Sequence, residues 1–245
     1  MERISIITIS YNSQGTIDSL IKSLKAQSFC DFEHVLIDGE STDKTINIVK
    51  KNSPSTKIVS EPDNGIYDAF NKGIKYSSGD IIGFLNSDDA FYDENSLKLI
   101  SEAFDVNTDC IFGDLIYTDK HNNLKRSWKG SPFNSGAFKK GWMPAHPTFY
   151  CRRNVYDKFG RYNDNYKIAG DFELMLRFFE KHNVRSKYIP HTIVNMKVGG
   201  ASNSGIKSKI QILNEEFRAF KENEIPVNKG LYILHKLKKL GEFKV

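Results

Sequence analysis

Cysteine is scarce in this 245-residue chain: Cys30, Cys110 and Cys151 are odd in number and far apart. That excludes a disulfide framework and a CxxC metal site, and it points to a reducing compartment. No apolar run approaches the roughly 20 residues of a membrane-spanning helix, and the opening MERISIITISYN lacks the segments of a signal peptide. The expectation is a cytoplasmic protein, soluble or peripheral at the inner face of a membrane. Glycine-rich phosphate loops are missing too, since neither GxxxxGKS/T nor GxGxxG occurs, which turns attention away from P-loop hydrolases and dehydrogenases. Internal repeats, low-complexity tracts and linkers are also absent.

With 39% hydrophobic and 27% charged residues, the composition is that of a globular chain long enough for a large α/β core. The net charge of +5 is unevenly placed: residues 229–245 hold five Lys against one Glu, with Leu231, Ile233, Leu234, Leu237 and Leu240 interleaved. Such a basic tail suits an anionic membrane surface. The alternative is a terminal helix with its apolar stripe on its own core and Lys outside. Nucleic acid is not an expected partner, because aromatic residues do not alternate with a basic stripe.

Residues 4–9 (ISIITI) read as a buried strand ending in Tyr11-Asn12-Ser13. Ile17, Leu20, Ile21 and Leu24 then recur at helical spacing behind Thr16, a candidate N-cap. Strands at 34–37, 57–59 and 81–85 alternate with helices at 42–51 and 66–76. Alternation of this kind requires crossovers and a mostly parallel sheet, which offers ligands the carboxyl ends of its strands. Four polar loops sit at those ends: Tyr11-Asn12-Ser13, Asp38-Gly39-Glu40-Ser41, Glu61-Pro62-Asp63-Asn64-Gly65 and Asn86-Ser87-Asp88-Asp89. Each alone is turn-forming; four in register imply a site. The second half predicts a hairpin of 110–117 with 124–128, helices near 153–159, 171–182 and 207–222, and a strand over 187–197.

Two adjacent carboxylates at a strand exit, Asp88 and Asp89, raise each other's pKa unless a cation sits beside them. Oxygen donors without cysteine suit Mg²⁺ or Mn²⁺. A helix-capping pair is the alternative.

Taken together, Ser10-Tyr11-Asn12, Asp38-Gly39-Glu40-Ser41-Thr42-Asp43, Glu61-Pro62-Asp63-Asn64-Gly65-Ile66-Tyr67-Asp68-Ala69, Asn71-Lys72-Gly73 and Asn86-Ser87-Asp88-Asp89 resemble family 2 glycosyltransferases of the GT-A fold, over roughly residues 3–200. The resemblance implies an α/β, Rossmann-like fold with a mixed, mostly parallel sheet flanked by helices. The domain would span 1–205, with a nucleotide-sugar half (1–105), an acceptor half (106–205) and a helical basic tail (206–245). It further implies an inverting transfer of a hexose or N-acetylhexosamine from a UDP-sugar to a hydroxyl of a lipid-linked (undecaprenyl-diphosphate) saccharide. The wording EPDNGIYDA and GDIIGFLNSDD is similar to bacterial enzymes of O-antigen, capsule and exopolysaccharide assembly.

Residue by residue, the resemblance makes Asp38 the acceptor for the uracil imide N–H, a strong bond for an ionised carboxylate, with Thr8 and Tyr11 near the base. Asp63, Asn64 and Gly65 fall near the nucleotide or donor sugar, Lys72 near a phosphate, and His146 near the diphosphate and acceptor. The family's acidic triad opens here with Asn86, one negative charge fewer. Asp88 is assigned to ribose or metal and Asp89 to the metal, Mn²⁺ or Mg²⁺.

Single displacement needs a base for the acceptor proton but no enzyme nucleophile. Asp171 is the candidate, at a helix start that stabilises its anion, and Glu173 is the runner-up. Without the resemblance, Asp171 reads as an N-cap. Trp142 and Tyr150 are candidates for stacking on a sugar, with core packing the safer reading. Gly199-Gly200-Ala201-Ser202 reads as a loop closing over donor or a plain turn. Two competing classes remain. A sugar-nucleotide nucleotidyltransferase needs a glycine-rich basic loop where Ser10-Tyr11-Asn12-Ser13-Gln14 stands. A non-catalytic saccharide-binding module would be expected to lose the Asp88-Asp89 pair or Asp171.

Overall fold

The computed structural model describes residues 2–198 and 205–242; the Gly199-Gly200-Ala201-Ser202 segment lies outside them. In the first half, β1 (Ile4–Ser10), β2 (Phe32–Asp38), β3 (Lys57–Ser60) and β4 (Ile81–Phe84) alternate with α1 (Ile17–Lys25), α2 (Thr45–Asn52) and α3 (Ile66–Tyr76). All pairings among these strands are parallel, in the order β3-β2-β1-β4, as crossover helices require.

The second half adds β5 (Ala90–Phe91), α4 (Ser96–Ala103), β6 (Cys110–Thr118), β7 (Leu124–Trp128), β8 (Tyr150–Arg152), α5 (Arg153–Phe159), α6 (Gly170–Leu176), β9 (Ser186–Lys197), α7 (Gly205–Glu222) and α8 (Lys229–Glu242). A π-helical turn, Arg177–Lys181, continues α6. The sheet runs on without a break as β4-β8-β6-β9-β5, with β7 on the side of β6. β8 joins β4 in antiparallel fashion, so one sheet spans both halves.

Strand periodicity explains the two cores. Ile4, Ile6 and Leu36 pack with Ile17, Leu20, Ile21 and Leu24 of α1, Val49 of α2, and Leu97 and Ile100 of α4. Ile7, Val35 and Ile37 point the other way, onto Phe70 and Ile74 of α3. Strands covered on both faces read as continuous apolar runs rather than alternating ones. The four buried aliphatics of α1 each contribute roughly 1.5–3 kcal/mol relative to exposure. Ala219 and Phe220 of α7 and Tyr232 of α8 belong to the same core as α3.

Several elements differ from expectation. α2 starts at Thr45 rather than Thr42, because Asp43 Oδ1 accepts from the Thr45 N–H (2.9 Å) and hydroxyl (2.6 Å) and holds a turn first. Thr16 stands at the start of α1 but makes no side-chain capping bond. β5 and α4 have no counterpart in the sequence reading, one being two residues long and the other short. α8 is helical, yet its apolar stripe does not face its own core: Tyr232 is buried while Leu231, Leu234 and Leu237 are exposed. No helix among the described residues is long and apolar enough to cross a membrane.

The join between the halves depends on a close approach. A Cβ on Gly83 of β4 would lie 1.9 Å from the Tyr150 ring of β8. Gly83→Ala is expected to destabilise the protein by about 1–3 kcal/mol through overpacking, read as a lower denaturation midpoint in urea. An unchanged midpoint would mean the ring has room to move.

Candidate functional site

The loops at the carboxyl ends of β1, β2 and β4 are laced into one rim. Ser13 Oγ lies 2.8 Å from Ser87 Oγ. The Asn12 N–H donates to Ser41 Oγ at 2.8 Å, and the Thr42 N–H donates to Asn12 Oδ1 at 2.9 Å. Below them Asp38 is fully enclosed. Its Oδ1 accepts from the Ser10 hydroxyl (2.9 Å) and the Ser41 hydroxyl (2.5 Å). Its Oδ2 accepts from the Ser41 N–H (2.8 Å) and the Ser60 hydroxyl (2.9 Å). This departs from the expectation for Asp38, since a carboxylate with both oxygens committed and no exposure offers no acceptor to a ligand. Thr8 departs likewise: it is buried in the sheet, donates to the Leu85 carbonyl at 2.7 Å and contacts His34 Nε2 at 3.0 Å.

Tyr11 and Asp63 do reach the rim, and both are exposed. They meet over Gly39, where a Cβ would stand 2.8 Å from Asp63 Oδ2 and 3.6 Å from the Tyr11 ring. The absent side chain is what lets Asp63 lean in from the β3 loop. Asp63 Oδ1 accepts from the Gly65 N–H at 2.9 Å, which fixes the carboxylate. Gly65, at φ 124°, turns the chain into α3, and the Asn64 N–H donates to Asp68 at 2.9 Å. Lys72 is not presented to a ligand. Its ammonium donates to the Pro62 carbonyl at 2.5 Å and pairs with Glu61 and Asp68, each at 3.3 Å, so it secures this loop from within.

At the exit of β4, Asp89 is buried and neither of its carboxylate oxygens has a hydrogen-bond partner. Asn86 Oδ1 is buried and unpartnered as well. Burial, and then the neighbouring Asp88, push the Asp89 carboxyl well above the usual carboxylate range, against the weaker pull of the nearby Lys197 amide and Asn86 side chain. Among the described residues no group of three or more His, Cys, Asp or Glu gathers as a metal cage. The donors present are two carboxylates and an amide oxygen, a set that fits Mg²⁺ or Mn²⁺ shared with ligand phosphates.

Asp171 occupies the first turn of α6, and its Oδ1 accepts from the Phe172 N–H at 2.8 Å. Burial raises its pKa to about 6, against the Phe172 and Asp171 amides and the nearby Tyr67 hydroxyl dipole, which favour the anion; the charge of Glu215 raises it further. The Tyr67 hydroxyl donates to the Ile168 carbonyl at 2.6 Å, and its ring stacks on Tyr162 at 5.7 Å. Tyr162 in turn contacts His146 Nε2 at 2.9 Å. His146 sits against Phe70 and Phe84, where burial lowers its pKa to about 4 and keeps it neutral.

Glu173 is excluded as a base. It is buried in an ion pair with Arg177 at 2.8 Å and accepts from Asn223 at 3.1 Å. Trp142 packs against Phe112, Phe138 and Phe179, and Tyr150 lies buried under Gly83, so both serve the core.

Three residues that flank Asp171 escaped the sequence reading. Tyr67 stands inside the quoted Gly65-Ile66-Tyr67-Asp68 stretch, which was the available signal. Tyr162 carries none. Glu215 of α7 accepts from the amides of Ile168 (3.0 Å) and Ala169 (2.8 Å), holding the loop ahead of Asp171; only the fold brings it there.

The Glycosyl transferase family 2 model matches residues 5–198. A PGL/p-HBAD biosynthesis glycosyltransferase of Mycobacterium bovis is 29% identical over 209 residues, covering 82% of this chain and 79% of the relative. S. aureus TarS, solved in complex with UDP-GlcNAc, superposes with a TM-score of 0.66 at 20% identity, over 89% of this chain and 69% of that one. In another structure of the same TarS fragment the chain spans 65% of the length. The mannosyltransferase PcManGT of Pyrobaculum calidifontis, solved with GDP-Man and Mn²⁺, gives a TM-score of 0.67 at 14% identity, over 94% of this chain and 68% of that one. These two solved neighbours establish the fold.

The state of Asp89 is measurable. Its folded pKa is raised, so its contribution to stability is fully present below the unfolded value of 3.8 and is lost as pH climbs through the folded pKa. Relative to Asp89→Asn, the wild type is therefore expected to lose stability from acid toward neutral pH. Mn²⁺ is expected to restore it, by about 2.7 kcal/mol at a hundredfold excess over Kd. Thermal melts with and without Mn²⁺ check this; equal metal responses in both proteins would remove Asp89 from the site.

Proposed function

The chain belongs to glycosyl transferase family 2, and on that premise we propose that it moves a hexose or N-acetylhexosamine from a UDP-sugar to a hydroxyl of a lipid-linked saccharide. The transfer inverts the anomeric carbon and serves the assembly of a bacterial surface polysaccharide. The observation that carries this reading is the unsatisfied oxygen set of Asp89 and Asn86 at the exit of β4, on the rim that also bears Tyr11 and Asp63. A TarS neighbour solved with UDP-GlcNAc and a mycobacterial biosynthetic relative support the donor class and the setting.

In this reading the Tyr11 ring offers a face to the base, and Asp63 Oδ2 accepts the uracil N3–H. Asp63 thereby takes the part first expected of Asp38, whose oxygens are committed inward. Asn64 and Gly65 line the approach to the donor. Asp88 meets the ribose or the metal, and Asp89 with Asn86 would hold Mn²⁺ or Mg²⁺. When bound, such a cation offsets the negative charge that builds on the departing diphosphate.

Asp171 takes the acceptor hydroxyl's proton while the oxygen attacks C1 from the face opposite the diphosphate. The new C1–O bond forms as the C1–phosphate oxygen bond breaks, and UDP leaves with that electron pair. A base with a pKa of about 6 is ionised at neutral pH and still proton-accepting. Tyr67 and Glu215 fix its position from two sides. His146, neutral against its aromatic neighbours, acts toward the diphosphate or acceptor as a hydrogen-bonding group rather than a cation.

Since the ionised form is the active one, kcat/KM is expected to rise with pH up to about 6 and then level off. Asp171→Asn should lower kcat by about a hundredfold or more with UDP binding intact. Full turnover by the variant, or a pH profile with no acid limb, would refute the base assignment. Calorimetry addresses Asp63 separately. Asp63→Asn is expected to weaken UDP about tenfold and to narrow the preference for UDP over CDP, because cytosine N3 accepts where uracil N3–H donates. Unaltered discrimination between the two nucleotides would assign base recognition to another group.

A further inference from the structure

α8 is amphipathic with its polarity turned inside out. Its inner side is fixed by Tyr232, whose ring meets Phe217 at 5.6 Å and Phe220 at 5.4 Å, and by Lys236, whose ammonium lies 2.6 Å from each carboxylate oxygen of the buried Glu216. With the rotation so set, Leu231, Leu234 and Leu237 fall at i, i+3 and i+6 on the outward side, exposed by 53%, 56% and 57%. Ile233 borders them. A helix that only closes a soluble core has the reverse pattern, which α1 follows.

Cations surround this stripe. Lys238 is exposed on α8 itself, whereas the Lys229 ammonium lies 5.2 Å from the Phe217 ring, on the Tyr232 side. Lys140 is exposed in the turn before Gly141, against which the Lys236 stem packs, 3.2 Å from the position a Cβ would take. In sequence, Lys239 and Lys244 follow, and Glu242 is the only acid from 229 to 245.

We propose that the outward face of α8 docks on a bilayer containing anionic lipid, with Leu231, Leu234 and Leu237 at the acyl boundary and Lys140 and Lys238 among the headgroups. Charge selects this occupant. A second copy pairing through the same face would oppose Lys140 and Lys238 with their own equivalents, a like-charge arrangement that disfavours association, whereas an anionic surface complements them. The proposal stands without the reaction assigned above, and it would bring the protein to the surface where a lipid-linked acceptor resides.

Co-sedimentation of the full chain with vesicles tests it. Binding is expected to phosphatidylcholine mixed with phosphatidylglycerol, not to phosphatidylcholine alone, and is expected to weaken with salt. The triple variant Leu231→Gln/Leu234→Gln/Leu237→Gln should lose at least about tenfold in partitioning with an unchanged melting temperature. Lys140→Glu/Lys238→Glu should lose binding to the anionic vesicles. Hydrolysis of UDP-sugar in vesicle-free buffer should be the same in all three proteins, so a failure of docking is distinct from a failure of the enzyme assignment. Equal vesicle binding by the triple leucine variant, or no wild-type binding to mixed vesicles, overturns the proposal. So does a dimer in sedimentation velocity that the leucine variant abolishes while vesicles are ignored.

Discussion

The carboxylate of Asp38 gathers four donors: the Ser10 hydroxyl at the end of β1, the Ser60 hydroxyl at the end of β3, and the amide and hydroxyl of Ser41 in the loop that follows β2. Three neighbouring parallel strands are thus tied at their carboxyl ends to one buried anion. Hydrogen bonds to a charged group are worth about 1.5–3 kcal/mol each, and here they also offset the cost of burying the charge. Tyr11 and Asp63 stand on loops that begin at this knot, while Asn86, Asp88 and Asp89 stand on the loop that follows β4.

Among the acidic residues two sets contrast, one tying the scaffold together and the other lying at the candidate site. Asp38, Glu173 and Glu215 are saturated with donors or paired with arginine. Asp63, Asp89 and Asp171 each keep an oxygen uncommitted or a raised pKa. Residue type does not distinguish the sets; the donors within reach do. An acid with a raised pKa, or one with spare acceptor capacity at the carboxyl edge of a parallel sheet, is where ligand chemistry is expected.

Much of the fold was legible because its signals are local and periodic. The apolar run of residues 4–9, the helical spacing of Ile17 to Leu24 and the alternation of strand and helix identify β1, α1 and the parallel half without long-range information. The site was legible as a set of loops rather than as individual roles. Whether Asp38 or Asp63 faces a ligand turns on an absent Cβ at Gly39 and on a loop arriving from β3, neither of which leaves a periodic trace. Lys72 looked available because its partners, Glu61 and Asp68, act on it only once the loop is folded. Glu215 lies more than forty positions from the amides it accepts, too far for any sequence window. The outward turn of α8 was equally hidden, since its periodicity fits either rotation and only Tyr232 and Lys236 decide between them.

Glu215 and Glu216 are consecutive residues of α7 with opposite duties. The first grips the amides ahead of Asp171, and the second anchors Lys236 of α8. A single peptide unit therefore separates the support of the Asp171 loop from the seat of α8. Because a helix backbone is stiff over so short a span, the two anchors belong to one rigid stretch of α7. The outermost helix and the Asp171 loop thus rest on adjacent residues of one support, so neither is seated independently of the other.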